Sequence, residues 1–132
     1  MNRLRGEIKK ITTEGNLSMV EIQYGSISLK TIIIEKLGSV PYLFPGNNVY
    51  LLFKETEVVI GKDPGLQISL QNRIACKITG IEKGKLLSKL SLSSGPDEIK
   101  SVISTHAVEQ MDLNTGDPVI AMVKTNEIML SE

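Results

Sequence analysis

The chain has 132 residues, with 15 Lys plus Arg against 15 Asp plus Glu, a balance that leaves no net field to draw in a polyanion or an anionic membrane surface. That length admits one ordinary domain or two very small ones, and a unit of about 60 residues buries only about 60% of the surface its unfolded chain exposes, so small units need a partner. The single cysteine, Cys76, cannot close a disulfide within the chain, and no signal-type apolar core follows Met1. Apolar runs such as Ile32–Ile34 and Val49–Phe53 are far short of the ~18 residues of a membrane span. The expectation is a soluble, cytoplasmic protein.

In chain order, Leu4, Gly6 and Ile8 alternate with Arg3, Arg5, Glu7 and Lys9, the period of two of a half-buried strand. Strand-type runs follow at Leu17–Tyr24, Ile27–Ile34 and Asn48–Phe53. Ile74, Cys76 and Ile78 then alternate with Arg73, Lys77 and Thr79, and further runs cover Leu86–Ser93, Ile99–Ile103 and Pro118–Val123. Turn chemistry separates them at Gly15-Asn16, Gly25-Ser26, Pro45-Gly46, Gly84-Lys85, Gly95-Pro96 and Gly116-Asp117. Only Thr105–Met111 reads as a short helix, with Ser104 or Thr105 as its N-cap.

One register relates the two halves of the chain without a gap. Adding 70 takes Asn2 to Asn72, Arg3 to Arg73, Ile8 to Ile78, Leu17 to Leu87, Lys30 to Lys100 and Leu43 to Leu113. The same shift takes Gly46 to Gly116, Val49 to Val119, Lys54 to Lys124 and Glu57 to Glu127. The matches mix core positions, turn glycines and charged residues, which strand alternation alone would not produce. Residues 1–62 form the first unit, residues 63–67 a linker around Pro64 and Gly65, and residues 68–132 the second unit. The first 62 residues carry 8 basic and 6 acidic side chains and the remainder 7 and 9, so neither half is a charged tail.

Each half runs Asn-Arg, strand, Gly turn, strand, strand, Gly turn, apolar strand, Lys and a short terminal strand. In the second half Ser69-Leu70-Gln71-Asn72 stands where a Ser-Ala-Arg-Asn motif would, and Leu113-Asn114-Thr115-Gly116-Asp117-Pro118-Val119 leads to Ala121–Leu130. This pattern resembles the Mop or TOBE unit of the molbindins over nearly the whole chain. The resemblance implies an all-β fold of two tandem OB-like β-barrel domains, each with at most a short helix, and strands exchanged between subunits. It also implies a homo-oligomer, a trimer or dimer, with molybdate or tungstate bound at subunit interfaces and no organic cofactor. The role it implies is storage, buffering or homeostasis of the oxyanion in the cytoplasm.

A tetrahedral dianion calls for several hydrogen-bond donors and few full charges, a need met by Ser and Thr hydroxyls, backbone N–H groups and one or two lysines. Ser69, Leu70, Gln71, Asn72, Lys124 and Thr125 meet it by family position, Lys54 by the repeat, and Ser104 and Thr105 by chemistry. Ser69 and Lys124 lie at opposite ends of the second unit, so a shared site is expected where two chains meet. Gln71 in place of the motif arginine removes a charge and a bidentate fork. In the first half the counterpart of Thr105 is Glu35, and Lys54 is followed by Glu55, both carboxylates that would repel a dianion. The first half is therefore expected to be largely structural or to carry a different site.

Plainer roles stand beside these. Lys54 and Lys124 also suit solvated strand ends, and Asn2, Asn72 and Ser69 suit turns in which Asn bonds its own backbone. His106 is the only histidine and suits a helix surface, while Cys76 falls on an apolar strand face and suits the core. Gly80–Lys85 mimics a phosphate loop but is one residue short and is followed by Leu86, which favours a hairpin turn. Asn16-Leu17-Ser18 matches a glycosylation sequon, without meaning in a chain expected to stay in the cytoplasm. No nucleophile–base pair or metal cluster points to an enzyme. Two other functions remain: a molybdate-sensing module acting on a partner transcription regulator or transporter, and an OB-type nucleic-acid-binding protein. For the latter, Tyr24, Tyr42, Phe44, Tyr50 and Phe53 could stack bases, though the even charge makes nucleic acid the weaker partner.

Overall fold

The computed structural model describes residues 1–34 and 40–132, so the expectation placed on Glu35 lies outside the described residues. The first half forms β1 (Asn2–Glu14), β2 (Leu17–Tyr24), β3 (Ile27–Ile33) and β4 (Asn48–Phe53), then a 3₁₀ turn (Glu55–Glu57) and β5 (Val59–Gly61). The second forms β6 (Asn72–Lys83), β7 (Leu87–Ser93), β8 (Glu98–Ser104), α1 (Thr105–Gln110) and β9 (Pro118–Val123). A second 3₁₀ turn (Thr125–Glu127) and β10 (Met129–Ser131) complete it. The offset of seventy survives in detail: β4 and β9, the two 3₁₀ turns, and β5 and β10 correspond residue for residue. The register of β1 on β2 shifts between Ile8 and Lys10, and that of β6 on β7 between Ile78 and Gly80.

Alternation puts one face of β1–β4 and β6–β9 in the core. Leu4, Ile8, Val20, Ile22, Val49 and Leu51 are buried in the first half, and Ile78, Leu90, Leu92, Ile99 and Val119 in the second, all within one apolar cluster. Cys76 packs there as expected, and burial pushes its thiol up to about 11. Gly6 faces it as Cys76 does in the other half; a Cβ on Gly6 would lie 2.5 Å from the Ile22 side chain and 2.9 Å from the Gln23 carbonyl, so the β1–β2 contact is close. Gly84 and Leu87 close the β6–β7 hairpin, whereas Gly80–Lys83, expected within the turn, continue β6 in register with β7.

The sheets do not follow the division of the sequence. One has the order β10-β4-β1-β2-β3 and the other β5-β9-β6-β7-β8, so each half gives its last strand to the other's sheet. Strand exchange, implied above between subunits, occurs here inside one chain. Met129–Ser131 pair with Leu52–Tyr50, and Val59–Gly61 with Met122–Ile120. Buried hydroxyls fasten the exchange: Thr31 donates to the Ile128 carbonyl at 2.7 Å and Ser101 to the Val58 carbonyl at 2.9 Å. The two halves thereby share one core, as small units that bury little surface require.

The aromatic side chains do not line up as a stacking face. Phe53 and Tyr24 are buried, Tyr50 lies beneath the Arg3 guanidinium at 3.7 Å, and Phe44 is exposed. Tyr24 bonds Ser94 and Asp97 of the other half, and burial with the Asp97 bond raises its phenol to about 12. No helix among the described residues is long and apolar enough to cross a membrane.

Candidate functional site

Antiparallel pairing of β6 with β9 sets Asn72 opposite Val123. The segment Ser69–Gln71 therefore arrives at the same end of the sheet from which Lys124 and Thr125 depart. Segments from opposite ends of the second unit's sequence thus leave from one end of the sheet within a single chain. Ser69, Gln71 and Lys124 are exposed, and Leu70 and Thr125 half-buried.

The Ser69–Gln71 segment is ordered by Arg73, whose side chain turns back along the linker. Its Nε donates to the Leu70 carbonyl at 3.0 Å, Nη1 to Pro64 at 3.1 Å and Nη2 to Ile68 at 3.1 Å. A planar fork with five donors suits three carbonyls spread along a loop. The carbonyls turn toward the guanidinium, leaving the serine hydroxyl and the Gln71 amide without partners among the described residues. The Lys124 ammonium forms no ion pair among those residues. Its charge acts on Glu127, whose carboxyl is nevertheless raised above the usual range by burial and by the facing Glu57.

Asn72 is buried and does not cap a turn. Its side-chain amide donates to the Lys30 carbonyl at 2.8 Å, and its Oδ1 accepts from the Lys30 N–H at 2.7 Å, across to β3. Asn2 does the same to Lys100 on β8, at 2.8 and 2.7 Å. Both hold one half to the other.

Ser104 and Thr105 fall elsewhere. Lys83 pairs with Ser88 and Leu87 with Ser104, which puts both hydroxyls at the end of β6 remote from Asn72. Ser104 caps α1 by accepting from the Ala107 N–H at 3.1 Å, as expected of an N-cap. Thr105 is buried, donates to the Gly84 carbonyl at 2.8 Å and meets the Ser88 hydroxyl at 2.8 Å, while its N–H bonds the Leu86 carbonyl. His106 is exposed on the helix, as expected.

Lys54 occupies the equivalent of Lys124, with different surroundings. Its N–H donates to a Glu57 carboxylate oxygen at 3.0 Å, a bond with no counterpart between Lys124 and Glu127. Glu55, where the second half has Thr125, pairs with Lys89 of β7 at 3.2 Å and with the Met1 ammonium at 3.3 Å. The Lys89 bond, first among the causes, holds the Glu55 carboxyl below its usual range. Repeat matching had marked Glu55 as unlike its counterpart, but Lys89 carries no such signal, since the pair forms only when the first 3₁₀ turn packs on the other half.

Two intertwined OB-like sheets with a donor-rich strand end define the tandem TOBE class of fold. A model of the TOBE domain matches residues 68–130. Molybdenum-pterin-binding protein 2 of Clostridium pasteurianum is 30% identical over 66 residues, covering 49% of this chain and 97% of that protein. The chain belongs to the molbindin family. Molybdenum-pterin-binding protein MopA of Rhodobacter capsulatus is 27% identical along 98% of this chain, which spans 50% of MopA. Among solved structures, the cytoplasmic molybdate-binding protein ModG, with molybdate bound, superposes with a TM-score of 0.91 at 22% identity, covering 98% of this chain and 94% of ModG. A molybdate-binding protein from Sporomusa ovata gives 0.50 at 28% identity, with 51% and 100% covered.

Proposed function

We propose that this protein binds molybdate or tungstate at the joint end of β6 and β9, with donors from the Ser69–Gln71 segment, the Lys124 ammonium and the Thr125 hydroxyl. The observation that carries this is the register that sets Asn72 opposite Val123 and so brings two donor segments together from distant parts of the sequence. The names of the relatives agree with it: MopA and the Clostridium proteins are molybdenum-pterin-binding, ModG molybdate-binding. One lysine and several neutral donors suit a dianion without an excess of fixed positive charge.

The donor group lies open at the surface, where water competes for every bond. A second copy of the chain closing over it would remove that water, and this supports a homo-oligomer with sites completed at its interfaces. Ser104 and Thr105 stand outside the group in a single chain, while Glu57, which holds the Lys54 N–H, faces Glu127 of the second 3₁₀ turn. In this reading the protein holds or buffers the oxyanion in the cytoplasm and performs no reaction on it.

Calorimetric titration with molybdate, tungstate and sulfate tests the proposal. Heat with molybdate or tungstate is expected, together with at least tenfold weaker binding by Lys124→Ala and Thr125→Val, equivalent to about 1.4 kcal/mol or more. No heat with either anion would sink it. The chain spans only half of MopA, which favours testing a second reading, a sensing module acting on a larger partner. Capture of a regulator or transporter that depends on molybdate separates the two.

A further inference from the structure

The halves share a fold but differ in where negative charge sits. In the second half the turn after β9 begins Lys124-Thr125, and the residue that matches Lys89 through the repeat is Met19. In the first half the same turn begins Lys54-Glu55, with the Glu55 carboxylate 3.2 Å from the Lys89 ammonium. The positions equivalent to Glu55 and Lys89 are therefore Thr125 and Met19, and neither member of the ion pair has a charged counterpart. Next to it, the Lys54 N–H is taken by Glu57 at 3.0 Å, whereas Glu127 leaves the Lys124 N–H alone.

We infer that Glu55 is a built-in anion: its carboxylate stands in the first half where the oxyanion stands in the second, so each chain carries one oxyanion position of this type rather than two. The inference rests on the reading of Lys124 and Thr125 as ligands. Lys89 and the Met1 ammonium supply the positive charge at this place, and the Glu55 carboxylate neutralises it from within the chain. A dianion arriving there would meet a fixed carboxylate at short range and would have to displace it from Lys89. Replacing Glu55 by a hydroxyl residue restores the residue type found at Thr125 and leaves Lys89 as a free cation.

The test counts molybdate bound per chain by equilibrium dialysis for the wild type, Glu55→Thr and Thr125→Glu. Glu55→Gln, of nearly the same size and without charge, is a second route to the same opening should Glu55→Thr fail to fold. Glu55→Thr or Glu55→Gln is expected to double the wild-type count, and Thr125→Glu to remove the wild-type binding. An unchanged count in both Glu55 variants, or a wild type that already binds at both turns, overturns the inference while leaving the ligand role of Lys124 intact. Binding that appears only in the Glu55 variants overturns the ligand role of Lys124 and Thr125 and, with it, the count of one position per chain. Absence of binding in every protein overturns both.

Discussion

Asn72 holds Lys30 as a neighbouring strand would, donating to its carbonyl at 2.8 Å and accepting from its N–H at 2.7 Å. Because Lys30 belongs to the opposite sheet, one side chain substitutes for a backbone ladder between the halves. Asn72→Ala leaves both Lys30 groups and the buried pocket without partners, at a cost of about 1–3 kcal/mol. Denaturant midpoints should fall accordingly, and Asn2→Ala should act alike through Lys100. A change below about 0.5 kcal/mol in both variants would refute the clamp, since substitutions of no structural consequence stay within that range.

Arg73 and its repeat counterpart Arg3 serve different ends. Arg73 gathers three linker carbonyls, while Arg3 lies over the Tyr50 ring at 3.7 Å. Lysine keeps the charge but not the fork. Arg73→Lys is expected to weaken molybdate binding by about tenfold, near 1.4 kcal/mol, through disorder of Ser69–Gln71. Arg3→Lys should leave affinity unchanged. Equal affinities in titrations of the two variants would show that Arg73 does not position the segment.

Glu127 titrates in the direction opposite to Glu55. Burial, then the facing Glu57, raises its carboxyl, so the folded chain holds this proton more tightly than the unfolded chain does. Its contribution to stability is complete below the ordinary carboxylate pKa, about 4.3, and is lost as pH rises through the folded value. Glu55 is lowered, chiefly by Lys89, and its contribution is lost as pH falls. In Glu127→Gln the Glu55 effect is retained and cancels on subtraction. The variant should therefore melt higher than the wild type at pH 7, with the gap closing toward pH 4. Parallel melting curves across that range would count against the carboxylate pair.

Most strands were legible from the sequence because alternation is a local property. Leu17–Tyr24, Asn48–Phe53 and Pro118–Val123 form as expected, as does the short helix with its Ser104 cap. The site was only partly legible. Lys124 and Thr125 stood out through family position, whereas Thr105, chosen for its hydroxyl, lies buried against Gly84 and Ser88. Asn72 was read as a turn residue or a ligand, and its bond to Lys30 could not be read from a neighbourhood of a few residues.

The repeat, the strands and the unequal chemistry of Thr125 and Glu55 are written along the chain, because they depend on residue type and spacing alone. The fold is what makes β5 and β10 change places, brings the Ser69–Gln71 segment and Lys124 to one end of a sheet, and sets Lys89 beside Glu55. Pairing at a distance accounts for the difference: antiparallel register and exchanged strands join groups tens of residues apart, and no local pattern carries their partner's number.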